Sequence, residues 1–322
     1  MGKRTICLDI GGSKILGAVL DEENNILARV KKKTKPEQGT EAVDTRIKDV
    51  VSELLSVSGT DPKELQAIGA GAPGVIDTGS GTIFYAPNIS WKNHPLGKIL
   101  EETFKVPAVI GNDVNVGVLG EWKYGAARGY SHALGIFVGT GIGGGVIIDN
   151  KLFTGSRFAG TEVGHMTLNT EGPLCNCGQR GCLEAYSSKI AITREIKAGL
   201  QKGMASSLKE VLGERDTVIK SSSLKRAVQE GDKLATAALK RAVYYLAAGA
   251  GNLINIFNPE VLVLGGGVME ALEEEILSLF DRYIPRFAWP AMLNQVKIKA
   301  SSLKDDAILY GARALIAENL GV

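Results

Sequence analysis

Glycine turns set directly after apolar, strand-like runs constrain this chain more than any other feature. Thr5-Ile6-Cys7-Leu8-Asp9-Ile10 leads into Gly11-Gly12-Ser13-Lys14 and out again through Ile15 to Leu20. The same pattern returns in the second half. There His132 to Val138 leads into Gly139-Thr140-Gly141-Ile142-Gly143-Gly144-Gly145 and on through Val146 to Asp149. A third cluster, Gly265-Gly266-Gly267, ends the apolar run Val261 to Leu264. The chain has 40 glycines in 322 residues, above the usual ~7%, and they gather in these clusters rather than spreading as low complexity. Two strand–turn–strand openings, each at the head of a strand-and-helix series, predict an internally duplicated α/β protein.

Apolar spacing supplies the rest of the outline. Val43, Ile47, Val50, Val51, Leu54 and Leu55 recur at helical intervals from Thr40 onward. Further helices are expected over Pro95 to Phe104, Lys233 to Asn255, Glu270 to Phe280 and Asp305 to Glu318. Strands are expected over Asn25 to Lys32, Leu65 to Ala70, Val106 to Ile110 and Val296 to Lys299. Gly71 to Pro95 reads mostly as loop, broken by a short apolar piece at Ile83 to Ala86. The boundary between the halves is expected near Gly117 to Gly125. Lys+Arg is 37 and Asp+Glu 35, so there is no basic surplus of the kind that marks a nucleic-acid partner. The run from Arg29 to Lys35 reads as the solvated end of an edge strand. No apolar run approaches the ~18 residues of a membrane span. The start, Met1-Gly2-Lys3-Arg4, shows no signal-peptide core, so a cytoplasmic location is expected.

A strand feeding a glycine turn presents backbone N–H groups to an anion, because glycine permits close approach. Two such turns suit a polyphosphate. Asp9, at the end of the first strand, is placed to hold Mg²⁺ through water, and Lys14 or Ser13 to meet a terminal phosphate. A dinucleotide-binding reading of Gly139 to Gly145 would need a helix directly after the turn, and Val146-Ile147-Ile148 reads as strand. Gly265 to Gly267 reads either as a simple strand-to-helix turn or as the platform for a nucleotide base.

Cys175, Cys177 and Cys182 fall within eight residues, in Cys-Asn-Cys-Gly-Gln-Arg-Gly-Cys, with His165 ten residues upstream. Three thiolates and an imidazole make a closed tetrahedral Zn²⁺ site. Three is an odd number for disulfides, and the expected compartment is reducing. Four protein ligands leave no open position, so the zinc is structural rather than catalytic. Cys7, in an apolar strand, reads as core filler. Glu162 lies three residues before His165 and Glu184 two after Cys182. Either carboxylate alone would pass as a solvated loop residue, but their placement beside metal ligands makes both candidates for holding a small hydroxyl-bearing ligand.

These residues resemble the ROK family of repressors, open reading frames and kinases. The resemblance rests on Cys-x-Cys-Gly-x-x-Gly-Cys-x-Glu at 175–184, Glu-x-Gly-His at 162–165, Gly-Thr-Gly-Ile-Gly-Gly-Gly at 139–145 and Asp9-Ile10-Gly11-Gly12. It implies two α/β domains of ribonuclease-H-like topology, of the actin, Hsp70 and hexokinase type, with a cleft between them. Residues 1–118 plus 303–322 would form the first, with a returning final helix, and 119–302 the second, carrying the zinc loop. It implies an ATP-dependent sugar kinase with glucose as favoured acceptor. Asp9, Gly11, Gly12 and Lys14 resemble the first phosphate element. Gly139, Thr140, Gly141 and Gly143 resemble the second, and Gly265, Gly266 and Gly267 the adenosine element. Asp113 would be the catalytic base and Asn112 a sugar ligand, with Glu162, His165 and Glu184 as further sugar ligands. Gly74 and Asn88 match the loop that covers the sugar. Thr161 stands where the family commonly has glycine, which leaves the path of the backbone into Glu162 open. Oligomers, dimers above all, are typical of the family.

The implied chemistry is phosphoryl transfer through a loose transition state, in which positioning and charge stabilisation dominate. From local sequence alone Asp113 serves equally well as a helix cap, and the two roles are compatible. Kinases for mannose, fructose, allose or N-acetylmannosamine, and a polyphosphate donor in place of ATP, stay open. A sugar-responsive regulator is the alternative from another class. Such regulators carry an additional N-terminal helix-turn-helix, and here the phosphate element already begins at Asp9. A filament protein would have no use for a zinc-ordered loop.

Overall fold

The computed structural model describes residues 2–213 and 217–321. The first glycine turn joins β1 (Arg4–Ile10) to β2 (Lys14–Leu20), which pair antiparallel with Ile10 opposite Ile15. Six of the seven residues in each strand are buried, which is why both read as nearly continuous apolar runs. β3 (Ile26–Lys33) continues the meander as an edge strand whose lysines alternate outward. α1 (Thr40–Ser58) then crosses to β4 (Leu65–Ala72), parallel to β1. Val43, Ile47, Val50, Val51 and Leu54 make the buried stripe of α1 against this sheet. A small antiparallel sheet follows, of β5 (Val75–Asp77), β6 (Thr82–Ala86) and β7 (Trp91–His94). After α2 (Leu96–Phe104), β8 (Ala108–Asn112) lies parallel to β4 and leads straight into α3 (Asp113–Tyr124).

The second series opens with β9 (Ala133–Val138), β10 (Ile142–Ile148) and the short β11 (Lys151–Leu152). The thiol-rich loop precedes α4 (Glu184–Ser187), α5 (Lys189–Gln201), α6 (Ser221–Gln229) and the long α7 (Lys233–Phe257). β12 (Val261–Gly265), α8 (Gly267–Ala271), α9 (Glu273–Tyr283), α10 (Pro290–Leu293), β13 (Lys297–Ala300) and α11 (Ala307–Leu320) complete the chain.

The two five-stranded sheets run β3-β2-β1-β4-β8 and β11-β10-β9-β12-β13. Each has a meander on one side of its first strand and two parallel additions on the other. The expected duplication is therefore present in the topology. By their internal contacts the residues form two units. One is Met1–Gly129 with Gly145–Thr161 and Asp305–Val322, and the other is Tyr130–Gly144 with Glu162–Lys304. Within the first unit α11 packs on α3, β4 and β1.

The stretch from Gly71 to Pro95 corrects the sequence reading, since about half of it lies in β5, β6 and β7, where mostly loop was expected. Its strands are three to five residues long and separated by turn residues, too short to display a period of two. Burial of Ile76, Ile83, Ala86, Ile89 and Trp91 in the first unit's core holds them. Among the described residues, no helix is long and apolar enough to cross a membrane.

Candidate functional site

In the first unit, Gly11 N–H donates to Lys14 O at 2.8 Å, closing the turn that follows Asp9. Lys14 Nζ lies 3.7 Å from Asp9 and 3.6 Å from Asp305. Asp9 is 6% exposed. Burial pushes its carboxyl up to about 6; Lys14 opposes the shift, and Asp305 adds to it. Gly12 packs against Asn88, whose Cβ would lie 3.5 Å from a Cβ placed on that glycine. Asn88 itself sits in a one-turn 3₁₀ helix between β6 and β7 and is exposed.

Gly74 has φ +102°, and a side chain there would run into the carbonyl of Tyr85, so only glycine fits. Its own carbonyl accepts from Asn112 Nδ2 at 3.1 Å. Asn112 ends β8 and caps α3: its Oδ1 accepts from Val114 N–H at 3.0 Å and Asn115 N–H at 3.1 Å. The capping duty thus falls on Asn112, and Asp113 is the first residue of the helix, with Val114 N–H also 2.9 Å from its Oδ1. The structure therefore joins Gly74, Asn112 and Asp113 in one strand-to-helix corner. It also places Asn88 on the first glycine turn.

In the second unit, Gly139 N–H donates to Gly141 O at 2.9 Å, and α5, capped by Ser188, sets its first N–H, that of Lys189, on Gly139 O at 3.0 Å. Gly265 ends β12 and Gly266 caps α8, which begins at Gly267. Because β12 runs parallel beside β9, Gly266 packs on Val138, the last residue before the second turn. The second and third glycine clusters consequently share the carboxyl ends of two parallel strands, where α/β proteins bind ligands. Thr140, Gly141 and Gly143 are at least partly exposed at that edge.

The donor atoms of His165, Cys175, Cys177 and Cys182 all lie within 4.8 Å of one another. Cys177 Sγ and Cys182 Sγ are 3.7 Å apart, and Cys175 Sγ is 3.8 Å from His165 Nδ1. A tetrahedron with Zn–S bonds of ~2.3 Å has edges of about 3.8 Å, so the residues fit a zinc ion. All four cysteines are thiols rather than disulfides, and Cys7 is fully buried in β1, the place expected of a core filler. Loss of water pushes the Cys175 thiol up to about 12, and Glu184 and Cys182 add to the shift. A dication among the sulfurs reverses that preference.

Glu184 serves both features. Its Oε2 accepts from Ile142 N–H at 2.9 Å, inside the second glycine turn, and Cys175 Sγ donates to its Oε1 at 3.5 Å. Glu162 is exposed as a residue, but its carboxyl is partly desolvated. That desolvation raises its pKa, His165 opposes the rise and Glu184 adds to it. Thr161 keeps the left-handed backbone that a glycine would adopt, with φ +67°. The sequence reading missed Asp305, the second partner of Lys14, and the internal duty of Glu184. Neither has a local signal, because one partner is remote in sequence and the other is a backbone N–H.

The model of the ROK family matches residues 5–319. A glucokinase of Thermotoga maritima is 35% identical over 319 residues, covering 99% of this chain and 98% of its own. A xylose repressor of Caldicellulosiruptor bescii is 34% identical over 272 residues, covering 84% of this chain and 67% of its own. Among solved structures, a ROK family glucokinase from Streptomyces griseus in complex with glucose and AMPPNP superposes with a TM-score of 0.82. It is 33% identical, with 96% of this chain and 97% of that one covered.

Proposed function

This chain belongs to the ROK family, and from that premise we propose that it is an ATP-dependent sugar kinase that converts ATP and D-glucose to ADP and glucose 6-phosphate. The observation that carries the reading is the corner at 112–113. Asn112 takes the cap of α3, and Asp113 follows at the first helical position, tied through Asn112 to the Gly74 carbonyl. The Thermotoga and Streptomyces glucokinases support glucose as the acceptor.

In the proposed reaction Asp113 accepts the proton of the attacking sugar hydroxyl as that oxygen bonds to the γ-phosphorus. The bond from phosphorus to the β,γ-bridging oxygen breaks, and ADP leaves. In a loose transition state the proton leaves late, so a weak base suffices. Asn88, Asn112, Glu162, His165 and Glu184 orient the sugar. The turns at 11–14 and 139–143 present N–H groups to the phosphates, and Gly265 to Gly267 form the adenosine platform. Asp9 suits a hydrated Mg²⁺, since a buried carboxylate held up near 6 is stabilised by a cation beside it. Such an ion would offset charge developing on the phosphates. His165, Cys175, Cys177 and Cys182 would hold Zn²⁺, whose contribution is to fix the loop bearing the sugar ligands.

The test is a coupled assay of the purified chain on a hexose panel with ATP and with polyphosphate. The expected result is ADP formation that depends on glucose and is abolished by Asp113→Asn. Turnover of another hexose in preference would replace the acceptor, and no sugar-dependent turnover would overturn the proposal. The repressor relative supports a second reading, a sugar-responsive regulator, which predicts sugar binding without turnover.

A further inference from the structure

Thr161 holds a β-branched side chain at φ +67°, a conformation in which such residues are outliers. Strain of this kind persists only where the surroundings over-determine it, and it gathers at ligand clamps. Here the hydroxyl does the determining. Thr161 Oγ1 has one proton to share between two acceptors, Asn115 Oδ1 at 2.9 Å and its neighbour's carbonyl, Gly160 O, at 2.6 Å. Asn115 is 5% exposed and lies on α3, two residues past Asp113. Its backbone N–H is held by the capping Asn112, which is itself held to Gly74. At 5% exposure the Asn115 side-chain amide is packed inside the unit rather than turning freely at the surface. The segment before Thr161 is closed as well, with Gly160 N–H donating to Thr154 O at 2.8 Å. A glycine at 161 would adopt this backbone without strain but would bring no hydroxyl, whereas a serine would bring the hydroxyl with a smaller side chain.

We propose that Thr161 is a positioning residue for sugar binding. Its hydrogen bond to Asn115 fixes the left-handed turn from which the chain enters Glu162, and so sets the direction of that carboxylate. The proposal rests on the sugar-kinase reading, with Glu162 as a sugar ligand. Thr161 acts through Glu162 and touches no substrate.

Initial-rate kinetics of Thr161→Gly, Thr161→Ala and Thr161→Ser separate the hydroxyl from the backbone, because the two explanations rank the variants in opposite orders. If the hydroxyl positions Glu162, serine stays within about twofold of wild type. Glycine and alanine then raise the sugar KM roughly 3–10-fold, the loss expected for one hydrogen bond, while the ATP KM and kcat stay within about twofold. If only the backbone conformation matters, glycine matches or improves on wild type, and that result overturns the proposal. A fall in kcat at unchanged sugar KM also overturns it. A wild-type chain that turns over no sugar overturns the functional reading and this proposal together, and is seen before any variant is compared.

Discussion

Asp9→Asn should stabilise the metal-free protein while abolishing its activity, and the size of the effect follows from the burial of Asp9. The carboxyl has an ordinary value of 3.8 and is pushed up to about 6 in the folded chain, net of the Lys14 attraction. At ~1.36 kcal/mol for each pH unit between the two values, ionised Asp9 costs about 3 kcal/mol. The raised value fixes the sign. The contribution to stability is complete below pH 3.8 and is lost as pH rises through about 6, so the deficit is full at pH 8. Asparagine has the same shape and no charge, and Lys14 retains Asp305 at 3.6 Å. At ~2–4 °C per kcal/mol for a unit of 150–250 residues, the variant should melt roughly 6–12 °C above wild type at pH 8 and close to it at pH 4. The assay is calorimetry from pH 4 to 8 in magnesium-free buffer without chelator, which would also strip the thiolate site. Magnesium with nucleotide should narrow the gap by raising wild type alone. Equal melting temperatures at pH 8, or a gap that does not change with pH, would refute the reasoning. Under the proposed function, stability given up at Asp9 would be the usual trade between activity and folding.

Asp113→Asn should lose turnover by several orders of magnitude while glucose still protects the protein against heat; retained turnover removes Asp113 from the base position. Metal analysis should find about one zinc per chain, and His165→Ala should lose both the metal and sugar affinity; loss of metal alone would separate His165 from the sugar. Gly311→Ala should destabilise by at least the upper end of the ~1–3 kcal/mol typical of overpacking, because its new methyl would meet the carbonyl of Val116 where α11 crosses α3. Unfolding in urea with an unchanged midpoint would show that the two helices can part without cost.

What could be read from the sequence and what could not divide along a physical line. The β1–β2 turn, the stripe of α1 and the duplicated strand order were readable because each leaves a periodic or compositional trace: buried residues on one face, and glycine where the chain reverses. The thiol cluster was readable because metal ligation demands particular side chains at close spacing. β5, β6 and β7 were not, since their strands are shorter than the pattern that identifies a strand and they are held by core burial around Trp91. Local sequence also allowed Asp113 to cap α3, a place the structure gives to Asn112. The carbonyl of Gly74, brought in by chain folding, meets the Asn112 amide, and an amide can accept from the helix and donate to that carbonyl at once, which an ionised carboxylate cannot.

The same distinction bears on how the closed metal site proposed for the thiol cluster would act on chemistry it does not touch. In the proposed reading four ligands would leave zinc no position for substrate, so its influence would pass through the groups it immobilises. Glu184 is such a group. It begins α4 two residues beyond Cys182, with one carboxylate oxygen at the Cys175 thiol and the other on the N–H of Ile142. A methyl group at Gly141 would have to displace that carboxylate. A zinc-bound Cys175 thiolate would have no proton to give Glu184, so in the proposed zinc-loaded loop the link to the second glycine turn would run along the chain from Cys182 to Glu184 and through its bond to Ile142. Glycine alone makes a turn permissive. A carboxylate bonded to its backbone restrains it, and in the proposed reaction that restraint would supply the preorganisation that electrostatic stabilisation by backbone N–H groups requires.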